Sequence, residues 1–304
     1  MPKKIATLSA LLLTVLLWGL SFIGIKIVLR SFSPIIYMFL RFFLASLVLF
    51  LVLFLKGIPA LDKSTHFKLF LTGLFEPGLY FYFETWGLTR TSASNASIIL
   101  ATVPIMVMIL ARIFLAEPIQ KKSVYAIFLS VAGICLLVVG ESGARFSASL
   151  TGDLFILAAA LSAALYMVCA RGLGSQLSSL VITSFQMFYG TILFLPFFII
   201  KYPSHNWHAV STESCAALLF LALFCTVGGY FLYNYALTQI PVSKASVFLN
   251  GIPVVTATAA AIMLGEHLSF LQMIGGLLVL TAVFTANLPL SQKHMTTSID
   301  ISSH

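Results

Sequence analysis

Long apolar runs, broken at short intervals by polar or helix-ending residues, dominate this chain. A helix needs about 20 apolar residues to cross the hydrocarbon core of a bilayer. That ruler predicts ten spans, over 5–28, 34–55, 67–87, 93–115, 122–140, 152–170, 179–200, 214–237, 243–265 and 269–288. The punctuation between them is physical. Ser33-Pro34 and Ser92 offer helix starts, Gly57-Ile58-Pro59 forbids continuation, and Pro118 and Pro241 mark turns. The run after Lys3-Lys4 continues to about Val28, too long for the roughly 7–15 apolar residues of a signal peptide, and reads as a first span. The polar stretch 290–304 is predicted to be a disordered tail.

The apolar pattern also repeats. Leu88–Glu117 laid on Leu237–Glu266 needs no gap and matches at 11 of 30 positions, among them Ser94/Ser243, Ser97/Ser246, Pro104/Pro253 and Glu117/Glu266. Chance would give roughly three in a chain this rich in Leu and Ala. Internal duplication of membrane-spanning units is the usual build of secondary transporters, whose substrate site lies at the repeat interface. Ten spans divide into five plus five, and an odd number per half turns the second half upside down. The expected units are residues 1–146 and 147–289.

Composition agrees with the bilayer as solvent. The 304 residues are 60% hydrophobic and 9% charged, with net charge +8, whereas a soluble domain is about 25% charged. Basic residues in such a protein mark cytoplasmic loops and give no reason to expect nucleic acid. With the N-terminus inside, one side holds Lys3, Lys4, Lys56, Lys63, Lys68, Lys121, Lys122, Arg171, Lys244 and Lys293. The other side holds Arg30, Arg90, Arg145 and Lys201. Ten against four places both termini in the cytoplasm. Four cysteines in apolar stretches read as packing residues.

The chemistry is expected where the duplicated helices are interrupted. Pro104 and Pro253 each leave the carbonyl four residues earlier without its helical donor. Such paired interruptions either mark a transport site or only bend helices for packing. Ser97, Ala101 and Pro104 share one helix face, as do Ser246, Asn250 and Pro253. These faces suit a cavity lining or tight helix contact, and Asn250 suits a ligand or an interhelical hydrogen bond. In the third span Glu76, Tyr80, Phe83, Glu84 and Gly87 form one stripe. A carboxylate at that depth must be protonated, paired or wet. Glu76 is the first candidate for contacting substrate or carrying a proton. Lys26, Arg41 and Glu84 share a level near one surface, so an ion-paired gate among them is feasible. Tyr230, Tyr233 and Asn234 add aromatic and polar groups suited to an amphipathic solute. Tyr82, Trp86 and Tyr235 read better as interfacial belt residues. His205-x-x-His208 with Glu213 lies in a loop, and such loops collect polar residues without binding metal. The chain contains no P-loop signature, and no metal site or cofactor is expected.

These residues together resemble the EamA-like family of the drug/metabolite transporter superfamily. The resemblance rests on Ala96-Ser97…Pro104…Ala116-Glu117, repeated as Ala245-Ser246…Pro253…Gly265-Glu266, with Trp18-Gly19 and Arg41, and covers about residues 5–288. It implies an all-α polytopic membrane protein, ten transmembrane helices as two inverted five-helix repeats around a central cavity. Spans 3, 4, 8 and 9 would surround that cavity, with 1, 2, 6 and 7 gating it. It also implies a carrier of amino acids or other small metabolites in the plasma membrane (the bacterial inner membrane), often an exporter. Gln186, roughly where a counterpart of Arg41 would lie, and Asn95 opposite Lys244 depart from the symmetry. Glu117 and Glu266 end their helices and read as structural.

The expected function is therefore secondary transport of a small organic solute by alternating access. A proton on Glu76 or Glu84 could supply the coupling, and uniport is equally open. A nucleotide-like metabolite or a cationic drug is the alternative cargo. A membrane-embedded enzyme would need nucleophiles, carboxylates or histidines converging at one depth, and the sequence scatters them.

Overall fold

A computed structural model of the chain describes residues 2–140, 149–264 and 268–287. Glu266 and the segment 290–304 lie outside the described residues. Fourteen α-helical segments account for most of what is described, and no strand occurs there. They are α1 (Pro2–Val28), α2 (Pro34–Lys56), α3 (Lys63–Gly73), α4 (Tyr80–Leu88), α5 (Ala93–Leu100), α6 (Val103–Leu115) and α7 (Lys121–Val139). The rest are α8 (Leu150–Leu173), α9 (Ser179–Lys201), α10 (Thr212–Phe220), α11 (Gly229–Gln239), α12 (Val242–Leu249), α13 (Ile252–Leu264) and α14 (Phe270–Asn287). Seven helical stretches are long and apolar enough to cross a membrane: Lys3–Val28, Pro34–Lys56, Asn95–Leu115, Lys121–Val139, Leu150–Leu173, Ser179–Ser204 and Thr212–Gln239. Phe270–Ala286 is apolar but shorter.

Local chemistry sets the boundaries. Ser33 is extended ahead of Pro34, whose missing N–H costs nothing at the first helical position. Gly57, at φ 88°, ends α2 in a conformation that only glycine adopts easily. Ser92 and Ser178 cap α5 and α9 by accepting from Asn95 N and Val181 N.

The interruptions are of two kinds. Ahead of Pro104 and Pro253 the helix stops for two residues, Ala101-Thr102 and Asn250-Gly251, and restarts with the proline in its first turn. The other kind is a π-helical stretch joining two α-helices, Leu74–Leu79 between α3 and α4 and Leu221–Gly228 between α10 and α11. In the first of these Glu76 is extended (φ −146°, ψ 118°) and its peptide bond to Pro77 is cis. Gly190 of α9 lies beneath the Pro77 ring, where a Cβ would collide. A Cβ on Gly73 would also collide, 2.7 Å from the Gln186 carbonyl, so α9 presses against the broken helix.

Packing follows the small residues. α2 lies along α9, α4 and α6 lie on α8, and α1 contacts α11 and α13. Gly19 gives α13 room, since a Cβ there would sit 2.5 Å from Val255 Cγ1. At the end of the bundle where α6 and α8 finish, Arg171 Nε meets Glu117 Oε1 at 3.1 Å. Arg171 Nη1 also donates to the Leu237 carbonyl (2.8 Å), and Val242 N donates to Glu117 Oε2 (3.1 Å). Glu117 thus has a structural use, closing α6, α8, α11 and α12 together.

The seam between α7 and α14 depends on two glycines. A Cβ on Gly133 would lie 2.7 Å from the Gly275 carbonyl, and one on Gly275 would lie 2.5 Å from the Gly133 carbonyl. Gly133→Val is expected to destabilise the protein by about 1–3 kcal/mol through overpacking. Gly172→Ala meets only Leu115 Cδ2 at 3.4 Å and should leave the melting temperature in detergent unchanged.

Candidate functional site

The interrupted helices converge on a cavity of about 240 Å³. Its wall carries Glu76, Tyr80 and Glu84 from the α3–α4 region, Ser97 and Pro104 from α5 and α6, and Tyr230 from α11. Ser246, Asn250 and Pro253 line it from the α12–α13 side, and Arg41 from α2. Both proline faces predicted from the sequence therefore point at the same space, and the prolines do more than bend helices at a distance from it.

Glu76 holds its place through two kinds of contact. Its Oε1 accepts from the Tyr230 hydroxyl at 2.7 Å. Its backbone carbonyl, released by the helix break, accepts from Gln186 Nε2 at 2.9 Å. The neighbouring Phe75 carbonyl accepts from Ser162 Oγ at 2.9 Å. A turn further on, Glu84 accepts from the Tyr80 hydroxyl at 2.8 Å. Each carboxylate thus has a phenol partner.

Arg41 is buried, at 3% exposure, and faces the cavity from the opposite helix. Its Nε donates to Thr226 Oγ1 (2.6 Å) and its Nη1 to the Tyr37 hydroxyl (2.7 Å). The expected ion pairing among Lys26, Arg41 and Glu84 is not formed. Arg41 donates to two hydroxyls, Tyr80 donates to Glu84, and Lys26 sits on an exposed face of α1 away from the cavity wall. The three side chains take different directions around their helices, and Arg41 and Glu84 find other partners.

Tyr233 and Asn234 correct the reading of α11 in the same way. Neither is on the cavity wall, and both are fully buried behind it. Asn234 Nδ2 donates to Thr183 Oγ1 (2.9 Å) and Gln186 Oε1 (3.0 Å), and its Oδ1 accepts from the Tyr166 hydroxyl (2.9 Å). This network steadies Gln186, which in turn holds Glu76. Phe83 and Gly87 are turned toward Phe155 and Ile156 of α8. Asn250 does both things asked of it, lining the cavity while donating to Ser130 Oγ at 2.7 Å. Tyr82 and Trp86 are exposed, as belt residues should be.

Other residues of the site were not among the expected substrate contacts, although Trp18 was part of the family pattern. Trp18 lines the cavity, packs at 4.9 Å on the Tyr230 ring, and donates from Nε1 to the Cys225 carbonyl at 2.9 Å. Gly229 leaves room for that indole. A tryptophan inside an otherwise apolar first span was the available signal. Met167 and Ala163 of α8 complete the wall, with nothing in sequence to distinguish them from packing residues. Among the described residues no cluster of His, Cys, Asp or Glu could hold a metal ion.

A largely apolar cavity between apolar helices, with two carboxylates and a guanidinium on its wall, suits a membrane transport protein. The chain belongs to the EamA-like transporter family, whose sequence profile matches residues 5–139 and again 150–288. An uncharacterized transporter of Archaeoglobus fulgidus is 33% identical over 274 residues, 90% of this chain and 96% of its own. The uncharacterized transporter YetK of Bacillus subtilis is 30% identical over 252 residues, 81% of this chain and 76% of its own. A protein of Streptantibioticus cattleyicolor named "Probable terminal-alkyne amino-acid exporter" is 24% identical over 91% of this chain and 92% of its own. A solved crystal structure shares the fold with TM-score 0.80 at 17% identity, covering 93% of this chain and 98% of that one. The protein is an integral membrane transporter of the drug/metabolite superfamily rather than an enzyme.

Gln186→Leu tests the support of the break. It leaves the Glu76 carbonyl and the Asn234 amide each short of a buried partner, at about 1–3 kcal/mol for each unsatisfied group. A clear fall in the denaturation midpoint of the detergent-solubilised protein is expected, and an unchanged midpoint would remove Gln186 as the support of the break.

Proposed function

We propose that the protein is a secondary carrier that exports an amino acid or a similar small amphipathic metabolite by alternating access. The observation that carries this reading is the placing of Glu76, Glu84 and Arg41 on one cavity wall. A zwitterion has one charge for each kind of group. Its amine suits the carboxylates, and its own carboxylate suits Arg41, which keeps donors beyond the two it spends on Tyr37 and Thr226. Trp18, Tyr80 and Tyr230 offer rings for the apolar part. The volume lies below the roughly 300–1,000 Å³ of pockets for drug-sized ligands, which favours a small solute. The name of the Streptantibioticus relative supports amino-acid cargo and export. Two carboxylates alone would equally suit an organic cation; Arg41 beside them favours the zwitterion.

In this reading the chain makes ten crossings, as two inverted five-helix repeats, residues 1–146 and 147–289. The paired proline breaks and the paired π-helical stretches support that symmetry. Both termini, including the tail 290–304, lie in the cytoplasm, and the carrier works in the plasma membrane (the bacterial inner membrane). Ser97, Ser246 and Asn250 complete the solute's hydrogen bonds, while Pro104 and Pro253 let their helices rock. Tyr233 and Asn234 serve the substrate indirectly, by steadying Gln186 and so Glu76. Arg41 orients solute within the cavity, and Lys26 stands apart from it. Glu76 or Glu84 carries the coupling proton.

Counterflow in proteoliposomes tests the proposal. Internal amino acid should accelerate uptake of labelled amino acid, and no exchange with any amino acid would overturn the assignment. Glu76→Gln should slow exchange roughly tenfold or more, equivalent to about 1.4 kcal/mol. If solute still binds the variant, Glu76 carries the proton; if binding goes too, Glu76 is a ligand. Unchanged exchange removes Glu76 from the mechanism.

A further inference from the structure

The central cavity comes close to both ends of the bundle. α8 runs from one end to the other, accepting Thr91 and Asn95 at its Asp153 and meeting Glu117 with its Arg171. At the Asp153 end, Glu84 lies one turn before the close of α4 and Ser97 one turn after the start of α5. At the Arg171 end, Met167 lies one turn before Arg171 on α8, and Ser246 one turn after Val242 on α12. A single helical turn, roughly 6 Å, thus separates the cavity wall from each end.

The two ends are finished differently. Glu84 and Ser97 are partly exposed, whereas Met167 and Ser246 are buried. The turn beyond Met167 and Ser246 is closed by Ala170, Leu237, Val242 and Ala245, all buried in one apolar cluster. Hydrogen bonds at the Asp153 end tie helices in pairs, α5 to α8 through Asn95, and α10 to α1 where Ser214 Oγ donates to the Ile27 carbonyl (3.1 Å). At the other end one ion pair gathers four helices. Arg171 reaches from α8 to Glu117 just past α6 and to the Leu237 carbonyl of α11, and Glu117 accepts from Val242 N at the start of α12. Each of these four helices also lines the cavity, through Pro104, Met167, Tyr230 and Ser246. The pair therefore sits over the cavity, where its helices converge.

Its strength also fits a contact that is made and broken. A permanent tie would rest on packing alone, as at the glycine seam between α7 and α14. A partly accessible ion pair contributes little to stability and re-forms easily. We propose that Glu117 and Arg171 latch a gate over this end of the cavity, and that solute passes here when the latch opens and the Glu84–Ser97 end closes. In the topology proposed above this is the cytoplasmic end, so an exported solute enters through it. The inference rests on the alternating access of that proposal and not on the cargo.

Thiol labelling of the detergent-purified full chain with N-ethylmaleimide provides the test, quantified peptide by peptide so that the native cysteines are read separately. Ser246→Cys reports the latched end and Ser97→Cys the other. Without further change the thiol of Ser97→Cys should react readily and that of Ser246→Cys barely. Adding Arg171→Gln should raise labelling of Ser246→Cys about fivefold, the shift that losing about 1 kcal/mol of pairing gives, and lower labelling of Ser97→Cys. Glu117→Gln keeps an acceptor for Val242 N, should act in the same direction more weakly, and decides the matter if Arg171→Gln fails to fold. Unchanged labelling of Ser246→Cys overturns the proposal. So does a rise at both positions, because a pair that only holds the bundle together would loosen both ends. No solute takes part in the labelling. Absent amino-acid exchange with the expected labelling would remove the cargo assignment and leave the gate standing.

Discussion

In hydrocarbon every main-chain N–H and C=O must find its partner within the protein. The helix break at Glu76 is the place where this protein meets that demand by unusual means. Gln186 takes the freed Glu76 carbonyl and Ser162 takes the carbonyl of Phe75. The second π-helical stretch is treated alike, with Trp18 donating to the Cys225 carbonyl and Thr226 Oγ1 to that of Leu221. Breaking a helix in lipid requires such donors from neighbouring helices, and the donors fix what surrounds the break. Trp18 comes to line the cavity and pack at a tilt on Tyr230; Thr226 is positioned to receive Arg41. Part of the cavity wall is in this sense a result of repairing the backbone around it.

Much of this was legible in the chain. Pro104 and Pro253 are visible as duplicated prolines because a missing N–H disrupts a helix whatever it packs against. The paired faces Ser97–Pro104 and Ser246–Pro253 follow from the 3.6-residue period, and both reach the cavity. Glu76 stands out because a buried carboxylate is too costly to leave unexplained. What periodicity does not give is the neighbour that a helical stripe faces. Tyr230, Tyr233 and Asn234 share a face broad enough for the first to meet the cavity and the others to be enclosed by α8 and α9. Lys26, Arg41 and Glu84 point in different directions, and the hydrogen bonds of Arg41 and Glu84 go to hydroxyls instead of to one another.

Gln186 is a residue the sequence marked without showing its use. Its sequence position marked it as a departure from symmetry with Arg41. Its use is to hold the Glu76 carbonyl and the Asn234 amide at once, which an amide can do because it carries both donors and an acceptor. An arginine there could only donate, leaving the Asn234 amide without its acceptor. The asymmetry between the two positions therefore follows from different tasks, one beside a carbonyl at a helix break and one beside hydroxyls.

The meeting of Glu117 with Arg171, Leu237 and Val242 has a consequence for how that end of the bundle responds to its surroundings. Its side chains are partly accessible, with Arg171 at 27% and Glu117 at 12% exposure, so dissolved ions can reach the pair. Attraction between accessible opposite charges weakens as electrolyte accumulates around them. The grip between the last turns of α6 and α8 and the first turn of α12 should accordingly loosen in brine and tighten in dilute buffer. The stiffness of one end of the bundle is thereby tied to the ionic strength outside the lipid.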